Sequence, residues 1–237
     1  MFCALCAGRL SAMTFNKMAL ALSGAVAATV ALTPTPSVAA APAVPAFVFA
    51  DCPAIPDGVD RAKWRCEEMH ASGSIRIGTV ELPVTLKTTH AEGRRPGETK
   101  TEFIFGALRS DPVPLPGVLP SSLTLEYAGH IDFLAGPPLA EVLHLKYRLT
   151  NRLVGDACYL GTDEDPIKVV GAIVGDRVPL PEDPSILTFA VEDNAFAVPA
   201  SRGCGRLGHL VDRRFGLPST GSLRLTVYFS IKTYDNI

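Results

Sequence analysis

Residues 223–232 read LRLTVYFSIK, and apolar side chains alternate with more polar ones along the whole stretch. The apolar set is Leu223, Leu225, Val227, Phe229 and Ile231. An alternation with a period of two is typical of a β-strand that packs one face on a core and exposes the other to water. The stretch therefore predicts a long, half-buried strand near the end of the chain.

The same alternation recurs upstream, most clearly in residues 142–149, VLHLKYRL, and in shorter form in residues 74–87, 101–108, 122–133, 167–174 and 186–191. Pro- and Gly-rich connectors such as RSDPVPLPGVLP separate these runs. About eight strands with no long helical segment between them predict an all-β fold, an antiparallel β-sandwich or a barrel-like sheet. A parallel α/β sheet is excluded because its crossovers need helices.

One short helix is expected after residue 206. Leu207, Leu210, Val211 and Phe215 recur at helical spacing, and Gly216 provides a stop. A second short helical turn is expected at Asp60, whose carboxylate can cap it.

The first forty residues resemble a secretory signal. Residues 18–32, MALALSGAVAATVAL, are uncharged and apolar, Lys17 precedes them, and Val38 and Ala40 occupy the positions that a signal peptidase reads. We expect cleavage near Ala40, with an uncleaved membrane anchor over residues 18–32 as the alternative. Met13 is an alternative start to Met1. The chain then divides into residues 1–40, a disulfide-looped segment 41–71, and a β-domain 72–237.

Removal of residues 1–40 leaves 197 residues with 20 basic and 24 acidic side chains, enough for one domain with a proper core. A nucleic-acid-binding domain normally carries a basic excess or stripe, and this segment carries neither. The composition therefore excludes nucleic acid as the expected partner.

Four cysteines remain after processing: Cys52, Cys66, Cys158 and Cys204. An even number in an exported chain indicates disulfides, and four cysteines allow three pairings. We favour Cys52 with Cys66, which closes a short Pro- and Gly-rich loop, and Cys158 with Cys204, which ties two distant loops together. The mature chain has no C-x-x-C spacing, so a zinc knuckle is not expected.

The sequence GCGRLG, residues 203–208, fits the G-x-G-x-x-G pattern of dinucleotide-binding turns. A true fingerprint follows a buried strand, opens a long helix, and precedes an acidic residue about 20 positions later. This stretch follows a Pro-containing loop and leads to a short helix. The strand that lies about 20 positions later carries no carboxylate. We interpret its glycines as turn residues beside a disulfide, and we expect no nucleotide and no cofactor.

Three other groups carry candidate chemistry. Residues 161–166, GTDEDP, are rich in acids but lack the alternating spacing of a calcium loop. His209 with Asp212, and His130 with Asp132, are spaced so that each pair can share one face of its element. Neither G-x-S-x-G nor H-E-x-x-H occurs in the chain. We therefore predict no catalytic, cofactor-binding or metal-binding residues.

The stretches CYLGTDEDPI, VEDNAFAVPASRGCG and GLPS before the last strand, with DCPAIP and AKWRCE near the front, resemble a group of uncharacterised secreted proteins of actinobacteria. The resemblance covers both cysteine pairs and implies an exported, disulfide-stabilised domain. It implies no activity.

Two functions follow as expectations. The first is a non-catalytic, exported β-domain of the cell envelope or extracellular space that binds a surface polymer, a lipid or a protein. The alternative is a secreted hydrolase of unrecognised type, which a concave pocket with convergent polar groups would favour.

Overall fold

The computed structural model describes residues 43–116, 120–132, 140–155 and 157–237. The predicted signal peptide, its cleavage near Ala40 and the alternative anchor over residues 18–32 lie outside these ranges. Within them, no helix combines the length and the apolar character needed to span a bilayer.

Eleven strands, one α-helix and two 3₁₀ turns make up the described part of the chain. The strands are β1 (Arg65–Ile77), β2 (Val80–Gly93), β3 (Glu102–Ser110), β4 (Val113–Leu115), β5 (Ser121–Asp132), β6 (Ala140–Thr150), β7 (Tyr159–Leu160), β8 (Ile167–Pro179), β9 (Ile186–Val198), β10 (Ser201–Arg202) and β11 (Ser219–Thr233). The helix α1 spans Gly208–Phe215, and the 3₁₀ turns span Arg61–Lys63 and Gly205–Leu207. The expectation of about eight substantial strands is met, because β4, β7 and β10 have three residues or fewer.

All strands belong to one antiparallel sheet. Its long strands follow the order β5-β6-β8-β9-β11-β1-β2-β3, so consecutive strands are neighbours and β11 pairs along the whole of β1. The sheet curls enough to bring side chains of its two edge strands into contact, although these strands do not pair: the ring of Phe105 on β3 stacks on Tyr127 of β5 at 3.9 Å, and the Ser110 hydroxyl donates to the Leu125 carbonyl at 2.9 Å. The prediction of an all-β antiparallel domain with one short helix is confirmed, and its form is a curled half-barrel.

The concave side of the sheet holds the main core. Along β2, Leu82, Val84 and Leu86 are buried and alternate with exposed residues, as the sequence pattern indicates. Gly78 and Thr79 form the turn that joins β1 to β2. However, β1 starts at Arg65, earlier than the first expected strand.

One end of the half-barrel is closed by α1 and by the disulfide between Cys158 and Cys204. Val211 and Phe215 of α1 are buried in the main core, and Gly216 ends the helix in the left-handed conformation, as predicted. The glycines of GCGRLG do turn the chain at the bridge. Gly203 and Gly205 flank Cys204 with φ of 71° and 58°.

The opposite, convex side of β1 and β2 is covered by residues 43–60, which we call the strap. The Cys52–Cys66 disulfide fixes the strap to β1, so both predicted disulfides are present. Phe49 and Trp64 form a small second core with Cys66, Ala91 and Tyr234. The expected helical turn at Asp60 is the 3₁₀ turn Arg61–Lys63, whose Ala62 N–H donates to the Asp60 carboxylate at 3.1 Å.

Glu68, on the convex face of β1, anchors the strap. It is fully buried and accepts hydrogen bonds from the Phe49 N–H and from His70 Nε2, each at 2.7 Å. Lys87 Nζ lies 3.5 Å from the same carboxylate. Burial alone would raise the pKa of Glu68. The hydrogen bonds from His70 and from the Phe49 and Val48 N–H groups, together with the charge of Lys87, lower it instead. The carboxylate is therefore held as an anion in a dry position.

The two glycines around Cys204 provide a matched test of the closed end. A Cβ on Gly203 overlaps the Ala157 carbonyl, whereas a Cβ on Gly205 meets nothing within 4 Å. Both substitutions carry the left-handed backbone cost of about 1–2 kcal/mol, and only Gly203→Ala adds about 1–3 kcal/mol of overlap. Urea unfolding without reductant should give a clearly lower free energy of unfolding for Gly203→Ala than for Gly205→Ala. Equal losses in the two variants would contradict this packing.

Glu68→Gln should loosen the strap, because the substitution removes the charge that His70 and Lys87 face. We expect a loss of about 2–3 kcal/mol in the free energy of unfolding, in the range of a buried charged hydrogen bond. Limited proteolysis should then cut within residues 43–60 first. Glu126→Gln, which removes a partly exposed partner of Arg148, is the control and should change stability by less than about 1 kcal/mol. Equal effects of the two substitutions would contradict the anchoring role.

Candidate functional site

A cavity of about 180 Å³ lies inside the half-barrel, at the end opposite to α1. We call it the mouth pocket. Its apolar wall is formed by Met69, Phe103, Phe189, Phe229 and Ile231. Its polar wall is formed by Arg65, Glu67, His90, Glu92 and Arg177.

Strand register places the polar residues above the apolar ones. Arg65 and Glu92 are opposite each other at the end of the β1–β2 ladder. The next inward-facing pair is Glu67 with His90, and the next layer brings Met69 of β1 opposite Phe229 of β11. We call Arg65, Glu67, His90 and Glu92 the collar, and Met69 with Phe189 and Phe229 the floor.

The collar residues contact one another closely. Arg65 Nε lies 3.3 Å from Glu67 Oε1, and the same guanidinium forms an ion pair with Glu92. The other oxygen of Glu67, Oε2, lies 3.5 Å from His90 Nε2. The His90 ring stacks on Phe103, with centroids 4.5 Å apart, so an aromatic side chain orients the imidazole. Glu67 therefore connects the arginine side of the collar to the histidine side.

Burial changes the charge of two collar residues. Desolvation, followed by the charge of Glu92 and a hydrogen bond to it, raises the pKa of Glu67 to about 8, although Arg65 and Arg177 act in the opposite direction. Desolvation also lowers the pKa of His90 to about 4. At neutral pH Glu67 is thus mainly a neutral hydrogen-bond donor, and His90 is a neutral imidazole.

This arrangement can hold a cation or a polar head group. Among the residues described by the structure, Glu67, His90 and Glu92 form the single cluster of three that could ligate a metal ion. One ligand atom from each lies within 4.8 Å of the other two. A neutral imidazole and two carboxyl groups are ligands that Zn²⁺ accepts.

The candidate groups named from the sequence lie outside the mouth pocket, and His130 and Asp132 line another cavity together. His209 Nδ1 is 3.1 Å from the Arg206 carbonyl, while Asp212 accepts from the Ser201 N–H at 2.7 Å. The His130 ring packs against His144 at 4.7 Å. His209 and Asp212 therefore have separate partners.

The acidic turn at residues 161–166 is also engaged in structural contacts. Lys146 binds both carboxylate oxygens of Asp163, at 2.7 and 2.8 Å. Thr162 accepts from the Asp165 N–H at 3.0 Å, which closes the turn. A lysine on the carboxylate competes with any calcium ion there.

The sequence analysis did not single out Glu67, His90 or Glu92. The alternation of apolar and polar residues along β2 did contain a sign of His90 and Glu92. On β2 the buried series Leu82, Val84, Leu86 continues in register through Thr88 to His90 and Glu92, so these polar residues occupy core-facing positions. Polar side chains in phase with a core are candidates for a site, because their burial needs specific partners.

A second cavity of about 390 Å³ lies at the closed end. Its wall is mostly apolar and includes Leu149, Leu153, Leu210 and Phe215, with Arg214 at one side. It contains no cluster of titratable groups among the described residues. The mouth pocket is the stronger candidate because buried polar groups converge there.

The charge state of Glu67 predicts how stability depends on pH. Above about pH 7, where His90 is mostly neutral in both the folded and the unfolded states, folded Glu67 retains a proton that the unfolded chain has released. The folded state then binds more protons, so stability falls as pH rises from about 7 to about 8, by about 1 kcal/mol in total. Glu67 faces Arg65, Arg177, His90 and Glu92 in this window.

The measurement is urea unfolding at several pH values in a buffer that contains a chelator. Glu67→Gln should remove most of this slope, because glutamine does not titrate, and Glu126→Gln should leave it in place. A wild-type slope that Glu67→Gln does not change would contradict the assignment.

Comparison of the chain with protein-family models, with curated proteins and with solved structures finds no match.

Proposed function

We propose that this protein is an exported, non-catalytic domain of the cell envelope or extracellular space, and that its mouth pocket binds a small amphipathic molecule or the end of a larger lipid or polymer. The observation that carries the proposal is the layering of the pocket. Its collar of charged and hydrogen-bonding side chains lies directly above an apolar floor. A ligand with an apolar end and a polar head matches both layers.

Export is supported by the sequence before residue 41 and by the two disulfides. Disulfides form and persist in oxidising compartments and are rare in the cytosol. The resemblance to secreted proteins of actinobacteria points the same way, and we include an origin in that group in the proposal.

The size of the pocket limits what can enter. Its volume of about 180 Å³ is below the roughly 300–1,000 Å³ of pockets that enclose a whole drug-sized ligand. A whole polymer does not fit, but a short acyl or aromatic end does. The rest of a larger molecule then extends out of the mouth.

Arg177 suggests the chemistry of the polar head. Its guanidinium lies 5.4 Å from the centre of the Phe189 ring, at the wall of the pocket. Within the described ranges it forms no ion pair shorter than 4.0 Å. An anionic head, or one rich in hydrogen-bond acceptors, is the group that such an arginine binds best.

A secreted hydrolase is the second candidate, and the neutral Glu67 beside a second carboxyl group favours it, since a carboxyl group that keeps its proton near neutral pH can act as a general acid. Two features weigh against it. Arg65 contacts both carboxyl groups, so neither of them is free to face a substrate. The described pocket-lining residues also include no serine, threonine or cysteine.

The test is native mass spectrometry of protein secreted by its natural host, before and after incubation with envelope lipid and polymer extracts. Wild-type protein should carry a bound species. Ile231→Trp places a large ring at the wall of the pocket and should reduce the bound fraction at least about tenfold, because it fills the space that the ligand needs.

Val174→Trp adds the same ring to an exposed position of β8, far from the collar in the sheet, and is the matched control. It should bind as wild type does. Equal binding by Ile231→Trp, or no bound species in any sample, would overturn the proposal. Conversion of the bound species into cleaved products, abolished by Glu67→Gln, would favour the hydrolase instead.

A further inference from the structure

The collar contains three ligand atoms from two adjacent strands, in a geometry close to that of a tetrahedral metal site. His90 Nε2 and Glu67 Oε2 are 3.5 Å apart. Atoms bound at about 2.0–2.1 Å to one tetrahedral ion lie about 3.3 Å from each other. This pair thus needs almost no movement to share an ion.

The third ligand, Glu92, is two residues from His90 on β2, and therefore on the same face of the sheet. One of its carboxylate oxygens is within 4.8 Å of a ligand atom of Glu67 and of a ring nitrogen of His90. Because all three residues line the mouth pocket, the fourth coordination position opens into the cavity.

The collar also has more carboxyl groups than cationic groups in contact with them. Glu67 and Glu92 lie side by side with exposed fractions of 14% and 9%, and the positive group that contacts both is the half-exposed Arg65. Buried carboxylates are stable only when they are paired, protonated or bound to a metal ion. Arg65 binds Oε1 of Glu67, which leaves Oε2 on the side of His90.

We propose that Glu67, His90 and Glu92 form a binding site for Zn²⁺, with one coordination position open to the mouth pocket. The site goes beyond the proposed ligand binding and does not depend on it. A nitrogen ligand combined with two carboxylates selects Zn²⁺ and related transition ions over Mg²⁺ and Ca²⁺, which prefer shells made of oxygen. The stacking of His90 on Phe103, with ring centroids 4.5 Å apart, restricts the rotation of the imidazole.

The experiment is a titration of the full secreted chain, first treated with a chelator, with Zn²⁺ alone in competition with a chromophoric chelator. We expect one ion per chain, with Mg²⁺ and Ca²⁺ unable to displace it. Glu67→Gln and His90→Gln should each weaken binding about 100-fold, since each removes one of three protein ligands. In parallel, Co²⁺ added to the wild type should give visible absorption bands typical of a nitrogen and oxygen site, and Zn²⁺ should abolish them.

Two control variants exclude binding elsewhere. Asp163→Asn alters the acidic turn at residues 161–166, and His130→Gln removes one ring of the His130–His144 pair. Both should bind Zn²⁺ as the wild type does. A loss caused by either control would assign the ion to a surface site and overturn the proposal, as would equal affinity of the wild type, Glu67→Gln and His90→Gln.

A collar variant that fails to fold does not prevent the test, because the Co²⁺ spectrum is measured on the wild type. Absence of ligand-field bands in folded wild-type protein would contradict the site. Failure of the metal titration leaves the envelope-extract experiment unaffected, because that experiment detects an organic species blocked by Ile231→Trp. The two proposals can therefore fail separately.

Discussion

The start of β1 is covered on both faces, and this constraint determines most of the chemistry in the molecule. The strap lies on the convex face, where the Cys52–Cys66 disulfide holds it, and the interior of the half-barrel lies on the other. Two consecutive carboxyl groups, Glu67 and Glu68, therefore point in opposite directions and are both removed from water. A strand covered on one face only would leave one of them solvated.

The two carboxyl groups reach opposite charge states because their surroundings differ. Glu68 receives backbone N–H groups, His70 and Lys87, so the anion is favoured and the residue becomes a structural anchor. Glu67 faces a second carboxyl group, Glu92, in a mostly apolar pocket, so its proton is retained. A satisfied buried anion stabilises the fold, whereas a carboxyl group that can exchange its proton for another cation remains available for binding. Burial alone therefore does not distinguish the structural residue from the functional one here. The groups that contact each carboxyl group make the distinction.

The sequence predicted the features that depend on local pattern. The alternation in residues 223–232 is the strand β11, the cysteine pairing follows from loop closure, and the glycines of GCGRLG turn the chain at Cys204. It did not predict the collar, because Glu67 is 23 positions from His90 in the chain and meets it only through the β1–β2 register. The start of β1 was missed for a related reason. Its first residues, Arg65 to His70, carry charges on both faces, so they lack the apolar alternation by which strands are recognised.

One end of the half-barrel mainly stabilises the fold, and the other end holds the candidate binding site. The closed end combines α1, a disulfide and a tightly packed turn at Gly203, and it shares the main core with the floor of the mouth pocket. The mouth can then tolerate a collar whose buried charges are only partly compensated, as functional sites commonly are. An ion bound by Glu67, His90 and Glu92 would place positive charge beside Arg177 at the same pocket, and both would attract an anionic head group. The proposed metal site and the proposed amphipathic ligand are thus compatible on electrostatic grounds. The ion would offer its open coordination position to the head of the ligand, and the apolar floor would receive the other end.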